Sequence, residues 1–187
     1  WRDLLQKQSM TILGLDVSTS ITGATILTDG KIIESHFWDT RNKKKFPSLY
    51  EKADLIQANL WNIKSRYDIN NIYIEQSLQS FRSGFSSAKT LSTLSRFNGI
   101  VSWNCYKTFD IKPEMIAASS ARKLAGVEIK RGDNAKEKVL KFILDKYPQI
   151  DIQYTKHGNP KPGMYDMCDS IIIGLAGEKI ARQGEDS

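Results

Sequence analysis

Residues 11–38 read as three strands joined by links too short to cross over, and this run narrows the possible folds more than any other part of the chain. Thr11–Val17 is largely apolar, Ser18-Thr19-Ser20 makes a turn, and Gly23–Leu27 is a second strand. Asp29-Gly30 is a hairpin signal, after which Lys31–Trp38 returns. Strands linked this closely must pair antiparallel. A basic loop, Arg41-Asn42-Lys43-Lys44-Lys45, runs to Pro47. Ser48 with Glu51 three residues on forms a capping-box pattern, and Leu49, Ala53, Ile56, Leu60 and Ile63 recur at helical spacing, which predicts a helix over 48–67. The next run, Asn70–Gln76, is short and almost wholly apolar, as a central strand is. A helix between two strands is a crossover, so this strand can lie parallel to the first and beside it.

The remaining segments continue the alternation. A polar loop over 77–87 precedes a long helix over about 86–106, then a strand near 112–118 and a short helix over 119–126. The basic loop Glu128–Asp133 leads to a helix over 134–147. Three prolines and two glycines mark 148–163 as a loop, and a closing helix spans about 164–182. The pattern predicts an α/β fold in which a mixed sheet, three antiparallel strands extended by parallel ones, carries helices on both faces. Residues 10–182 read as one domain. Residues 1–9, ahead of Met10, are set apart as a lead-in or expression remnant, and 183–187 as a frayed tail.

At 187 residues and 40% hydrophobic, the chain can bury one proper core. Lys and Arg number 27 against 21 Asp and Glu, a net charge of +6, which favours a polyanionic partner without identifying one. Cys105 and Cys168 are the only cysteines and lack CxxC spacing, while His36 and His157 are the only histidines. Those counts argue against a disulfide framework, a zinc site and a Ser-His-Asp hydrolase. No apolar stretch approaches the roughly 20 residues of a membrane span, and no signal peptide is visible. The expected location is cytoplasmic and not secreted.

Four carboxylates occupy telling positions on this topology. Asp16 ends the apolar run Ile12-Leu13-Gly14-Leu15, and Glu75 ends Ile72-Tyr73-Ile74. Parallel neighbouring strands bring their carboxyl ends to one edge of the sheet, where open α/β sheets place their sites. Asp166 and Asp169 stand three residues apart near the start of the closing helix and point the same way. Met167, Ile171, Ile172 and Leu175 are then expected to hold that helix on the sheet. A single Asp after a strand is ordinarily a turn residue, and Asp-x-x-Asp is ordinarily helix-start charge. Four together repel one another unless a cation offsets them. Hard oxygen ligands suit Mg²⁺, with Mn²⁺ as a substitute. The expectation is two ions, one bridging Asp16 and Asp169, the other Glu75 and Asp166.

The segment Ile12-Leu13-Gly14-Leu15-Asp16-Val17-Ser18-Thr19-Ser20-Ile21-Thr22-Gly23 resembles the opening of the RuvC-type Holliday junction resolvases, with Val17-Ser18 where the family has Pro-Gly. Ile74-Glu75-Gln76 is similar to the family's Ile-Glu-Gln, and Asp166-Met167-Cys168-Asp169-Ser170 to its closing Asp/His-x-x-Asp-Ala. Ser120-Ala121-Arg122-Lys123 and Ala135-Lys136-Glu137-Lys138-Val139 resemble its two basic, junction-contacting stretches. The resemblance spans residues 10–181 and implies a divergent, phage-like or viral member. It implies an RNase H-like fold, two Mg²⁺ ions held by Asp16, Glu75, Asp166 and Asp169, and a homodimer that nicks symmetric strands of a four-way DNA junction. Lys136 matches a lysine near the family's active site, and Lys123 a residue that grips the DNA backbone.

Further contacts to branched DNA are expected from Arg82, Arg122, Lys130, Arg131 and Lys138, with Lys43, Lys44 and Lys45 nearby. Phe81 and Phe85, aromatics in a polar loop, are candidates to wedge between bases at the crossover. On the long helix, Ala88, Leu91, Leu94, Ser95 and Asn98 are small or apolar enough to meet a second copy or to pack in the core. Other readings of the same residues are an RNase H-like nuclease on other branched DNA or RNA, a non-catalytic module of that fold, and an actin-like ATPase domain. The last shares the strand-Asp-Thr-Gly pattern but needs two domains around its nucleotide.

Overall fold

The computed structural model describes residues 8–77 and 87–185. Strands β1 (Thr11–Asp16), β2 (Ile21–Thr28) and β3 (Lys31–Asp39) form an antiparallel meander. Helix α1 (Leu49–Arg66) crosses over to β4 (Asn71–Glu75), which pairs parallel to β1. Helix α2 (Ala88–Phe109) leads to β5 (Glu114–Ile116), parallel to β4. Then follow α3 (Ala118–Ala125), α4 (Ala135–Lys146) and α5 (Met164–Glu185). The sheet order is β3-β2-β1-β4-β5, the mixed α/β arrangement that the sequence pattern predicts.

Local chemistry accounts for the elements. Asp29 and Gly30 both have positive φ, 49° and 77°, the geometry of a two-residue primed hairpin turn. The capping box is present: the Ser48 amide donates to Glu51 Oε2 at 2.8 Å, which satisfies an end group α1 would otherwise leave bare. Helix α2 runs to Phe109, three residues beyond expectation, and stops where Asp110 turns left-handed (φ 57°). Strand β5 is shorter than expected because Pro113 has no N–H to give the ladder. Helix α5 continues to Glu185 rather than ending near 182.

The sheet separates two cores. On one face Leu13, Leu15, Ala24, Ile26, Ile72 and Ile74 pack with Ile56 and Leu60 of α1 and Phe97 and Val101 of α2. On the other, Ile12, Leu27 and Tyr73 pack with Ile171, Ile172 and Ala176 of α5 and with α3 and α4 residues such as Ala121, Val139 and Ile143. Alternation along each strand therefore assigns Gly14 and Asp16 of β1, Gly23 and Thr25 of β2, and Glu75 of β4 to the α5 face.

Helix α5 meets that face at backbone distance, and beside the expected apolar residues runs a row of small ones that makes the closest approach. A Cβ on Gly14 would stand 2.6 Å from the Gly174 amide nitrogen and 2.7 Å from the Ser170 carbonyl oxygen. A Cβ on Gly23 would overlap the Asp166 carbonyl, one on Gly174 would strike Leu27, and one on Gly177 the Tyr73 ring. The row facing the strands is thus Asp166, Ser170, Gly174 and Gly177, with Leu175 only half-buried. A buried hydroxyl chain fixes the helix's rotation. Ser170 donates to the Met167 carbonyl at 2.7 Å, so it must accept from Thr25 (2.7 Å), which in turn accepts from Ser35 (2.7 Å). At the far end, half-exposed Asp29 and buried Glu178 both engage Arg182, and Glu178 accepts the Gly30 amide at 2.9 Å.

The close approach predicts that Gly14→Ala and Gly23→Ala each destabilise the fold by about 1–3 kcal/mol or more, since backbone on both sides must move. Gly99 lies within α2, and a Cβ there would meet nothing within 4 Å, so Gly99→Ala should stabilise by about 0.5–1 kcal/mol. Urea denaturation of the three variants checks both signs; equal effects at all three positions would refute the crossing as the constraint.

Candidate metal centre

The carboxyl ends of β1 and β4 lie side by side, Leu15 paired with Ile74, and present Asp16 and Glu75 toward α5. Both strand ends are held. Asn98 of α2, buried, donates to the Glu75 carbonyl at 3.2 Å, and the Gln76 amide donates to the Ile116 carbonyl at 2.8 Å. After Asp16, the Ser18 hydroxyl accepts from the amides of Ser20 (3.2 Å) and Ile21 (3.1 Å) and donates to the Ile21 carbonyl (2.8 Å). Thr40 donates to the carbonyls of this turn, and the Lys52 ammonium donates to Thr19. These bonds rigidify the turn without a Pro-Gly. Ser18 and Thr40 were not among the expected site residues; a Ser two residues after the acid was the available signal.

Oxygens of Asp16, Glu75 and Asp169 all lie within 4.8 Å of one another. The grouping is three and one rather than two and two: Asp166, one helical turn before Asp169, stands beside the trio. Its charge still reaches all three, and it also faces Asp39 and Arg41 at the end of β3. All four carboxylates are half-buried.

Their protonation reflects crowding. Burial first, and then the charges of Glu75, Asp169 and Asp166, push the Asp16 carboxyl well above the usual carboxylate range. Glu75 rises to about 7, from burial and then Asp169, with Arg122 and Lys136 pulling the other way. Burial lifts Asp169 to about 6 against the opposing charge of Lys136. Asp166 is raised too, chiefly by burial. Three acids that ionise together only at a cost unless a cation offsets them, offering only oxygen donors, are the donor set a hard divalent ion takes. Asp16, Glu75 and Asp169 would hold one, with Asp166 at its margin.

Two cations border the cluster. A cavity of about 210 Å³ is lined by Glu75, Asp169, Arg122 and Lys136 together with Ala118, Ala121 and Ile172. Lys136, in the first turn of α4, is exposed, with Nζ 5.6 Å from the Tyr165 ring centroid. Arg122 of α3 is half-buried, its Nε bonded to the Ala118 carbonyl at 3.0 Å. Arg122 also borders a wider hollow of about 770 Å³ that includes Lys123, Ile129 and Lys130. Lys123, Lys130 and Arg131 are exposed, while Lys138 pairs with Asp133 at 3.5 Å. Phe81, Arg82 and Phe85 lie outside the described residues.

No protein-family model matches the chain, and no curated protein matches it in sequence. Solved structures do. RuvC of Thermus thermophilus in complex with a Holliday junction substrate superposes with a TM-score of 0.66, covering 94% of this chain and 96% of its own at 13% identity. The fold is that of the RuvC resolvases. A second structure of Thermus thermophilus RuvC gives 0.62, with 94% and 97% coverage at 18% identity. The yeast mitochondrial Holliday junction resolvase Ydc2 gives 0.60, with 95% and 81% coverage at 14% identity. Among the described residues no helix is long and apolar enough to cross a membrane.

On this RuvC fold the raised carboxyls make a pH prediction. A carboxyl whose folded pKa exceeds its unfolded value holds its proton after the unfolded chain has lost it, so stability falls as pH rises between the two values. With Glu75 moved from 4.5 to about 7 and Asp169 from 3.8 to about 6, the loss falls between about pH 4 and pH 7. In EDTA the melting temperature should drop across that window, and Mg²⁺ or Mn²⁺ should restore it at the upper end. Asp16→Asn should flatten the drop. A metal-free melting temperature indifferent to pH and to added cation would refute the cluster.

Proposed function

We propose that this protein is a Mg²⁺-dependent endonuclease that resolves four-way DNA junctions, hydrolysing the phosphodiester to leave 5′-phosphate nicks. The observation that carries the reading is the trio Asp16, Glu75 and Asp169, crowded at the sheet edge with Lys136 and Arg122 beside it, on the fold of proteins one of which was captured on a Holliday junction. Divalent ions bound there would supply the nucleophile, by lowering the pKa of a water, and stabilise the leaving 3′ oxygen. Asp16, Glu75 and Asp169 would hold the reacting phosphate's surroundings in fixed geometry, because each sits on a rigid strand end or helix. Lys136, an exposed ammonium at the rim, would offset negative charge that grows on the phosphoryl oxygens. Arg122 would orient the same phosphate group from the cavity wall.

Away from the reacting phosphate, Lys123, Lys130, Arg131 and Lys138 would grip DNA backbone, which adds salt-sensitive affinity and little sequence information. Arg82, Phe81 and Phe85 remain candidates for the crossover itself by their place in the sequence after Glu75. A two-fold homodimer would set two such sites against opposite strands of a two-fold symmetric junction. Of the α2 positions proposed for that contact, Ala88 and Ser95 are exposed and Leu91 and Leu94 half-buried, while Asn98 turns inward to β4.

Cleavage of a labelled mobile four-way junction, with matched duplex and flap substrates alongside, tests the reading. Paired symmetric nicks on the junction are expected with Mg²⁺ or Mn²⁺; equal cutting of all three substrates would reject junction selectivity. Asp16→Asn and Glu75→Gln should abolish cutting with junction affinity retained. Lys136→Ala should lower kcat by about 10²-fold with little change in affinity, and a loss confined to affinity would reject its assignment.

A further inference from the structure

Strands β3, β1, β4 and β5 all run the same way across the sheet, with only β2 reversed. Their carboxyl ends therefore share one edge. At that edge β1 ends in Asp16, β4 in Glu75 and β3 in Asp39. Asp16 pairs with Gly23, and Gly23 with Phe37, two residues before Asp39. Ser35 bonds to Thr25 on the α5 face, so alternation places Phe37 and Asp39 on that face too, and Phe37 indeed covers Gly163 at the start of α5.

Asp39 holds the side chain of Arg41 in a bidentate grip: Nε to Oδ1 at 3.0 Å and Nη2 to Oδ2 at 2.7 Å, with the Arg41 amide also donating to Oδ1 at 3.0 Å. The fork is half-exposed. A guanidinium has five N–H donors on two usable edges. Asp39 takes the Nε edge, and among the described residues Nη1 has no bonded partner, which leaves the second edge for a planar oxyanion. Arg41 and Asp166 are near enough that each charge shifts the other's protonation equilibrium. The carboxylate cluster is thus bordered by cations on both sides along the sheet edge, Arg122 and Lys136 toward β5 and Arg41 toward β3. A surface ion pair of this kind contributes little to stability, so its alignment on the site calls for a ligand.

We propose that Arg41 binds a backbone phosphate of the substrate strand close to the phosphate that is cut, on its β3 side, two strand spacings of about 4.8 Å each from β1. The inference rests on the nuclease reading above. Asp39 acts as the positioning residue: it immobilises the guanidinium before DNA arrives and so removes an ordering cost from binding. The strand would lie across the edge of the sheet from Arg122, over the trio, to Arg41.

A scan with single neutral methylphosphonate linkages tests this, placed one to five nucleotides to either side of the cut in a four-way junction. Kd in Ca²⁺ and cleavage in Mg²⁺ are read for wild type, Arg41→Gln, Arg41→Lys and Asp39→Asn. For wild type, one position on one side of the cut should weaken Kd about tenfold. For Arg41→Gln that position should lose its effect, and the slope of log affinity against log salt should shrink by about 0.9. Arg41→Lys should keep the slope, and Asp39→Asn should weaken binding without moving the sensitive position. A scan profile identical in wild type and Arg41→Gln overturns the Arg41 contact while leaving the nuclease reading standing. Wild type that neither binds nor cuts the junction overturns both.

Discussion

Helix α5 lies on β1 and β2 with no room for a single methyl group at the points where they cross. Gly14 and Gly23 on the strands and Gly174 and Gly177 on the helix supply the clearance, and the Ser35-Thr25-Ser170 hydroxyl chain fixes the rotation at which the helix settles. The acids depend on that contact. The close crossing sets where the first turns of α5 lie against the strand ends, and from there Asp169 brings an oxygen within 4.8 Å of those on Asp16 and Glu75. The same packing that completes one hydrophobic core places the chemistry at its rim.

That placement works against the fold electrostatically. Half-buried acids raise one another's pKa, and the nearest cations, Lys136 and Arg122, only partly oppose the effect. Neither forms an ion pair with the trio; Arg122 is committed to the Ala118 carbonyl and Lys136 stands over Tyr165. A site balanced for stability alone would close those pairs. Left open, it keeps oxygen donors for a cation and positive charge for an anion, the two things a phosphodiester on a divalent ion requires.

Much of this is legible in the residues. Alternation along 11–28 and the Asp29-Gly30 turn dictate the meander, and the Ser48-Glu51 box marks α1 to the residue. Asp16, Glu75 and Asp169 stand out because acids at the ends of apolar strands share an edge once the strands are parallel. What resists is tertiary. Both Asp166 and Asp169 point along one helical face, so spacing does not say that Asp169 alone joins the trio. Met167, Ile171 and Ile172 do pack into the core that α5 shares with Ile12, Leu27 and Tyr73, as expected, but the points of closest approach are made by Asp166, Ser170, Gly174 and Gly177 beside them. The glycines within β1 and β2 carry the missing signal, since a strand glycine marks close approach of another backbone. Arg41 looks like one more charge in a basic loop; only the shared direction of β3 and β1 brings it to the site.

The most direct measurement is the anomalous diffraction of crystals equilibrated with Mn²⁺. A strong peak coordinated by oxygens of Asp16, Glu75 and Asp169 is expected, lost in Asp169→Asn. No peak at the trio, or Mn²⁺ bound elsewhere on the chain while the three carboxyls remain protonated, would contradict a metal centre there.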